Sequence, residues 1–144
     1  MALEYYRDLF HMAVCDIAKS SDKFSERLRI AWVNYLYKIH WSELEAMLME
    51  EDLPLFKKLK KRLRDDLKKD VERKKKLLLE QTANAPRPLS EEQASNYANA
   101  ETVIRAMNGK RASHTVSVIV DFYSAICQTV DFQREFSKGR QSQS

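Results

Sequence analysis

The sequence predicts an all-α protein, and three observations carry that prediction. Glycine occurs twice and proline three times in 144 residues, too seldom for strands joined by tight turns. Apolar residues recur at spacings of three and four along most of the chain, the period of a helix face. One stretch, residues 52–82, combines a narrow apolar seam with dense charge and holds no helix breaker after Pro54. The expectation is a compact bundle of about six helices built round one long basic central helix. It comprises a single domain over 1–138, with 52–82 as the central helix, 83–89 as a linker, 90–138 as a C-terminal helical pair and 139–144 as a disordered tail.

Residues 2–19 place Leu3, Tyr6, Phe10, Ala13, Val14 and Ile17 on one helical face, with Asp8, His11 and Cys15 beside it. Ser20, Ser21 and Asp22 interrupt and offer caps to a second helix. That helix, over 23–40, carries Phe24, Leu28, Ala31, Trp32, Tyr35, Leu36 and Ile39 and is the expected centre of the core. Ser42-Glu43-Leu44-Glu45 has the form of a capping box and opens a short helix with Leu44, Met47 and Leu48 inward. Pro54 suits a first helical turn, where its missing N–H is no loss. Phe56, Leu59, Leu63, Leu67, Val71 and Leu78 follow at helical spacing. Phe56, Leu67 and Leu78 stand eleven apart, which keeps them on one face of a nearly straight helix. About 28 residues at 1.5 Å each would reach about 42 Å.

Pro86 and Pro88 forbid helix and mark the linker. Ser90-Glu91-Glu92-Gln93 is a second capping box, starting a helix with Ala94, Tyr97, Ala98, Ile104 and Met107 that Asn108-Gly109 closes. Thr115 to Val120 alternates and is β-branched, as a strand would be. Yet Val116, Ile119, Phe122, Tyr123, Ile126, Cys127 and Val130 keep the helical spacing, which predicts one helix over 113–137.

Charge is concentrated in the central stretch. Lys57, Lys58, Lys60, Lys61, Arg62, Arg64, Lys68, Lys69, Arg73, Lys74, Lys75 and Lys76 stand against Asp65, Asp66, Asp70 and Glu72, a net of +8 in a chain of net +4. Pairs at i,i+4, such as Asp65 with Lys69, support a helix by about 0.2–0.5 kcal/mol each, whereas Asp66 opposes Asp70. The other cations form a solvated face, a footprint for phosphates, or a contact for an acidic protein or anionic membrane surface. No aromatic residue interleaves the run, so stacking on bases finds no support within it.

Several chemistries are excluded or unsupported. Gly109 and Gly139 are isolated, which rules out the glycine-rich phosphate loops of nucleotide-dependent enzymes. Cys15 and Cys127 form no disulfide framework and no Cys-x-x-Cys pair, and read as buried reduced thiols. The N-terminus lacks a secretory pattern and no apolar run reaches membrane-spanning length, so a cytoplasmic protein without a membrane span is expected. Asp8, His11 and Cys15, with His114 or Cys127, offer metal-ligand types but no second adjacent pair, and neither metal nor cofactor is expected. His11 stands four residues from Cys15, as base to nucleophile, but both are expected under the core. Arg7 and His11 resemble the arginine–histidine pair of helical ribonucleases of the HEPN type, which space it more widely, so no catalytic role is carried over. The chain reads as a non-enzyme.

A helix with Glu26-Arg27-Leu28, Ala31 and Leu36 is followed by an acidic turn. Leu53-Pro54 comes next, with Phe and Leu at helical spacing, and Leu89-Ser90 with Glu92 opens a later helix. In this order the chain resembles, over about residues 20–107, small all-helical bacterial proteins of uncharacterised function. The resemblance implies an all-helical fold and no activity. The chain departs from it in the length and basicity of residues 57–76.

The seam of the central helix is too apolar to be left in water. Val71, Leu77, Leu78 and Leu79 are its expected helix interface, because three successive leucines cannot all face one domain. Either a second copy of the chain covers them, a homodimer being the simplest supplier, or the last helix does. The first expectation is a non-catalytic interaction or regulatory protein that presents helices to a macromolecular partner and self-associates. The alternative is a nucleic-acid-binding protein whose twelve basic residues contact phosphates.

Overall fold

Residues 3–106 and 109–142 are described by the computed structural model, and every regular element among them is helical. Helix α1 (Leu3–Lys19) buries Leu3, Tyr6, Leu9, Phe10, Ala13 and Ile17, the apolar stripe of its sequence. A local turn ends it, in which Ser20 Oγ accepts from the Asp22 backbone N–H at 3.1 Å. Helix α2 (Phe24–Asn34) has Lys23 at its N-cap and no side-chain cap, so the Ser20–Asp22 turn stops one helix without capping the next. The helix expected over 23–40 closes at Asn34. A 3-10 turn (Leu36–Lys38) then redirects the chain while Leu36 and Ile39 stay buried. Helix α3 (Trp41–Met47) begins before Ser42, with His40 at its N-cap, so the capping box expected at Ser42 does not form.

The expected central helix is two helices. Helix α4 (Leu53–Leu63), with Pro54 in its first turn, ends at Arg64; a 3-10 turn spans Asp65–Leu67; helix α5 (Lys68–Thr82) restarts. Charge explains the place of the break, where neither glycine nor proline stands. The last turn of α4 carries Lys60, Lys61 and Arg62, which suit the negative end of its dipole. Asp65 and Asp66 then precede the N-terminus of α5, where carboxylates are favoured. A continuous helix would hold both aspartates in its interior, where their propensity is poor. Phe56, Leu59, Leu63 and Leu67 are buried across the break, and Val71 packs partly buried against the core.

The two halves then serve different neighbours: α4 packs on helix α7 (Gly109–Ser142) and α5 on helix α6 (Glu91–Ala106). The α5–α6 hairpin is antiparallel, with Lys74 Nζ 3.0 Å from Glu101 Oε2. At its closed end the Leu89 N–H donates to Thr82 Oγ1 at 3.3 Å. The Ser90 capping box forms as expected. The Ser90 N–H donates to Gln93 Oε1 at 3.0 Å and the Gln93 N–H to Ser90 Oγ at 3.1 Å. Buried Ala94, Ala98 and Ala100 let α6 approach its neighbours α2 and α5.

The longest helix is the last one. Helix α7 has 34 residues, about 51 Å, and lies against α1, α2 and α4. Its β-branched segment is helical because Val116, Ile119, Phe122, Ile126 and Val130 share a buried face, and that burial overrides local preference. It runs antiparallel to α1: Phe10 and Phe122 meet edge-on with centroids 5.2 Å apart, and Arg134 Nε donates to Glu4 Oε1 at 3.1 Å. Phe56 stands 6.1 Å from both Phe122 and Trp41, joining α4 to α7 and α3. Gly109 opens α7 rather than closing α6, and residues 139–142 of the expected disordered tail are helical. Met107, Asn108, residues 143–144 and the side chain of Ile104 lie outside the described residues.

Candidate nucleic-acid interface

Helix α4 reads LPLFKKLKKRL, and all of its charge is positive. Phe56, Leu59 and Leu63 turn to the core, so at 3.6 residues per turn the cations fan over the rest of its circumference. Lys58, Lys61 and Arg62 share one flank at i, i+3 and i+4. Lys60 and the capping Arg64 share the other, and Lys57 lies on the ridge between.

The start of α7 lies along the first flank, and a cleft of about 1060 Å³ opens between the two helices. Lys58, Lys61, Arg62 and Asp66 line one wall, and Lys110, Arg111, Ser113, His114 and Ser117 the other. Five cations thus face one carboxylate. Arg111 Nη2 approaches Asp66 Oδ2 at 3.5 Å. Among the described residues Lys58, Lys61, Arg62 and Lys110 make no ion pair. Opposed cationic walls focus the local field and concentrate anions between them. Hydroxyls and an imidazole on the α7 wall add hydrogen-bond donors of the kind that contact phosphate oxygens.

On the second flank a hollow of about 300 Å³ is lined by Ile39, His40, Trp41, Ser42, Glu45, Lys60 and Arg64. Trp41 is half-buried, its ring packed on Phe56. Arg64 Nη1 stands 3.9 Å from Asp65.

The other basic residues singled out from the sequence are gathered in neither place. Lys57, Lys68, Lys69, Arg73 and Lys76 are exposed, Lys75 is half-buried, and Lys74 is held by Glu101. Lys110, Arg111, Ser113 and Ser117 escaped sequence reasoning, and His114 was weighed only as a metal ligand. The only cue to them was a Lys-Arg pair with His114 one turn on, and nothing in the sequence joins it to α4.

The expected interface residues separate. Val71 packs against the core, Leu78 and Leu79 are half-buried, and Leu77 is 43% exposed. It is α6, not the last helix, that packs along α5.

Of the residues weighed for metal or thiol chemistry, all but His114 lie apart from the cleft. His11 is exposed rather than covered, and Cys15 and Cys127 are half-buried. His11 Nδ1 is 2.8 Å from the Tyr123 hydroxyl, and its Nε2 is 3.6 Å from Cys15 Sγ. The Cys127 thiol, by its hydrogen bond, and then burial raise the Tyr123 hydroxyl above the usual phenol pKa. Asp8 turns to Arg7 at 3.2 Å, and His114 lies in the α4–α7 cleft. Among the described residues no three His, Cys, Asp or Glu side chains converge to hold a metal ion.

No family model matches the chain, and no curated protein or solved structure matches it. Among the described residues no helix is long and apolar enough to cross a membrane.

Proposed function

We propose that the protein binds the phosphate backbone of nucleic acid in the cleft between α4 and α7. The observation that carries this is the convergence of five cations, drawn from two helices, on a cleft with a single carboxylate. A lysine face kept only for solubility needs no second wall, and Lys68, Lys69, Arg73 and Lys76 of α5, all exposed, have that simpler arrangement. No Phe, Tyr or Trp lines the cleft, so it meets charge rather than base edges, and binding there is independent of sequence. The protein acts by binding and carries out no reaction.

Two triple variants with the same change of charge test the location. Lys58→Glu/Lys61→Glu/Arg62→Glu alters the cleft, and Arg73→Glu/Lys75→Glu/Lys76→Glu alters α5. Fluorescence anisotropy of labelled duplex and single strand at low salt should show binding lost in the first and largely kept in the second. Equal losses would reduce the effect to net charge. No binding by the unmodified chain would sink the proposal.

A second function is favoured by a separate observation. Leu77 on α5 and Tyr97 on α6 are 43% and 48% exposed on the same hairpin, apolar surface suited to a cytoplasmic regulatory protein that presents helices to a partner or to its own copy. Sedimentation should then shift from dimer to monomer with Leu77→Asp. A monomer in the unmodified chain across the micromolar range removes self-association.

A further inference from the structure

The α4–α7 cleft offers charge and hydrogen-bond donors but no Phe, Tyr or Trp, whereas the hollow on the opposite flank of α4 adds an indole ring. Trp41 is supplied by α3, and its position is set from below by Phe56, whose ring is fully buried. Lys60 and Arg64 enter the same hollow from the α4 side. Glu45, the one carboxylate lining it, comes with Ser42 from the α3 side and offers an acceptor to an amine rather than a contact for phosphate. Positive charge is unbroken between the two flanks, because α4 contains no acidic residue and Lys57 and Lys61 are exposed. A helix with its side chains is about 10–12 Å across, so the path over α4 from cleft to hollow is of the order of 15 Å.

We propose, resting on the backbone-binding function above, that the ligand is a single-stranded nucleic acid that crosses α4. Its phosphates lie in the α4–α7 cleft and over the ridge, and an unpaired base stacks against Trp41 beside Lys60 and Arg64. In a duplex the base faces are already stacked on one another, so a ring in a hollow finds a partner only on an unpaired base. Cations that track the backbone, with an aromatic ring for the bases, are the two components that single-strand binding requires. Electrostatics alone favours the duplex, which carries the denser charge, so a preference for single strand is diagnostic of the stacking contact.

The experiment titrates the full chain with labelled single-stranded DNA, single-stranded RNA and duplex of equal length at fixed salt, following anisotropy and tryptophan emission together. Trp32, the other tryptophan, is only 7% exposed, so quenching reports Trp41. Either single strand should bind at least about tenfold tighter than duplex and quench the emission. Trp41→Leu should remove the quench and weaken single-strand binding by about tenfold or more. Lys60→Glu/Arg64→Glu should weaken single-strand binding to a similar degree without touching the core, which keeps the test decisive should Trp41→Leu misfold. Equal affinity for strand and duplex with unquenched emission would overturn the crossing strand and leave backbone binding standing. No binding to any of the three polymers would overturn both.

Discussion

Replacing Lys58, Lys61 and Arg62 by glutamine removes three positive charges from one wall of the α4–α7 cleft and leaves Lys110 and Arg111 on the other. Glutamine, unlike glutamate, adds no repulsion, so the variant isolates the lost cations. Four cleft cations in the unmodified chain make no ion pair among the described residues, and Arg111 pairs with Asp66. If each of the four neutralises one phosphate, the logarithm of affinity falls against the logarithm of salt with a slope of about −2.8 on a single strand and about −3.6 on duplex. Raising salt from about 50 to 200 mM would then weaken single-strand binding about 50-fold and duplex binding about 150-fold. With three cations gone the same change costs only about threefold. Lys60 and Arg64 steepen both chains alike where a strand crosses α4, so the difference in slope, about 2.1 on single strand, is the quantity to read. Anisotropy titrations at five salt concentrations yield it directly. Equal slopes in the two chains would place the phosphates elsewhere and refute the cleft.

Three further outcomes follow from the fold. Phe56 is fully buried between Trp41 and Phe122, so Phe56→Ala should destabilise the protein by about 3–5 kcal/mol in urea unfolding; a loss under about 1 kcal/mol would mean that the core does not centre on this ring. Ser90→Ala breaks half of a reciprocal cap and should cost about 1 kcal/mol, with faster hydrogen exchange at the Gln93 amide as its local signature. The hydrogen bond from Arg29 holds the Glu26 carboxylate below its usual pKa, so folded Glu26 binds a proton less readily than unfolded Glu26. Its small contribution, from a partly exposed pair, is complete above the ordinary glutamate range and lost as pH falls through the lowered folded value. The stability gap between the unmodified chain and Glu26→Gln should therefore close as pH falls. A gap that stays constant would refute the linkage.

Helix content was legible because it rests on local spacing. The stripe of α1, the linker and the Ser90 cap all depend on neighbours within a few residues, and all three appear. The break at residues 64–67 was legible too, in a form easily passed over. Basic residues that end one dipole are followed by two aspartates that begin another, without the glycine or proline that usually announces a stop. The Ser42 box was misleading because its pattern is local, whereas the 3-10 turn before it sets where the chain enters α3. Thr115 to Val120 has the opposite lesson: its alternation is strand-like, and the buried face shared with the next three turns of α7 outweighs it.

The helical class, most helix positions and the basic run are all written in the chain locally, since each follows from periodicity, composition and capping within a turn or two. Which of the twelve basic residues lie side by side depends on the packing of the helices. Lys58, Lys61 and Arg62 become one wall of a cleft because α4 turns its apolar stripe onto α7, bringing Lys110 and Arg111 opposite them from far along the chain. Trp41 shares a hollow with Lys60 and Arg64 because Phe56 seats both helices on one core, although the basic run contains no aromatic residue of its own. Such pairings depend on how apolar faces are buried against one another. Burial is non-directional and summed over the whole core, so no short window of residues encodes it.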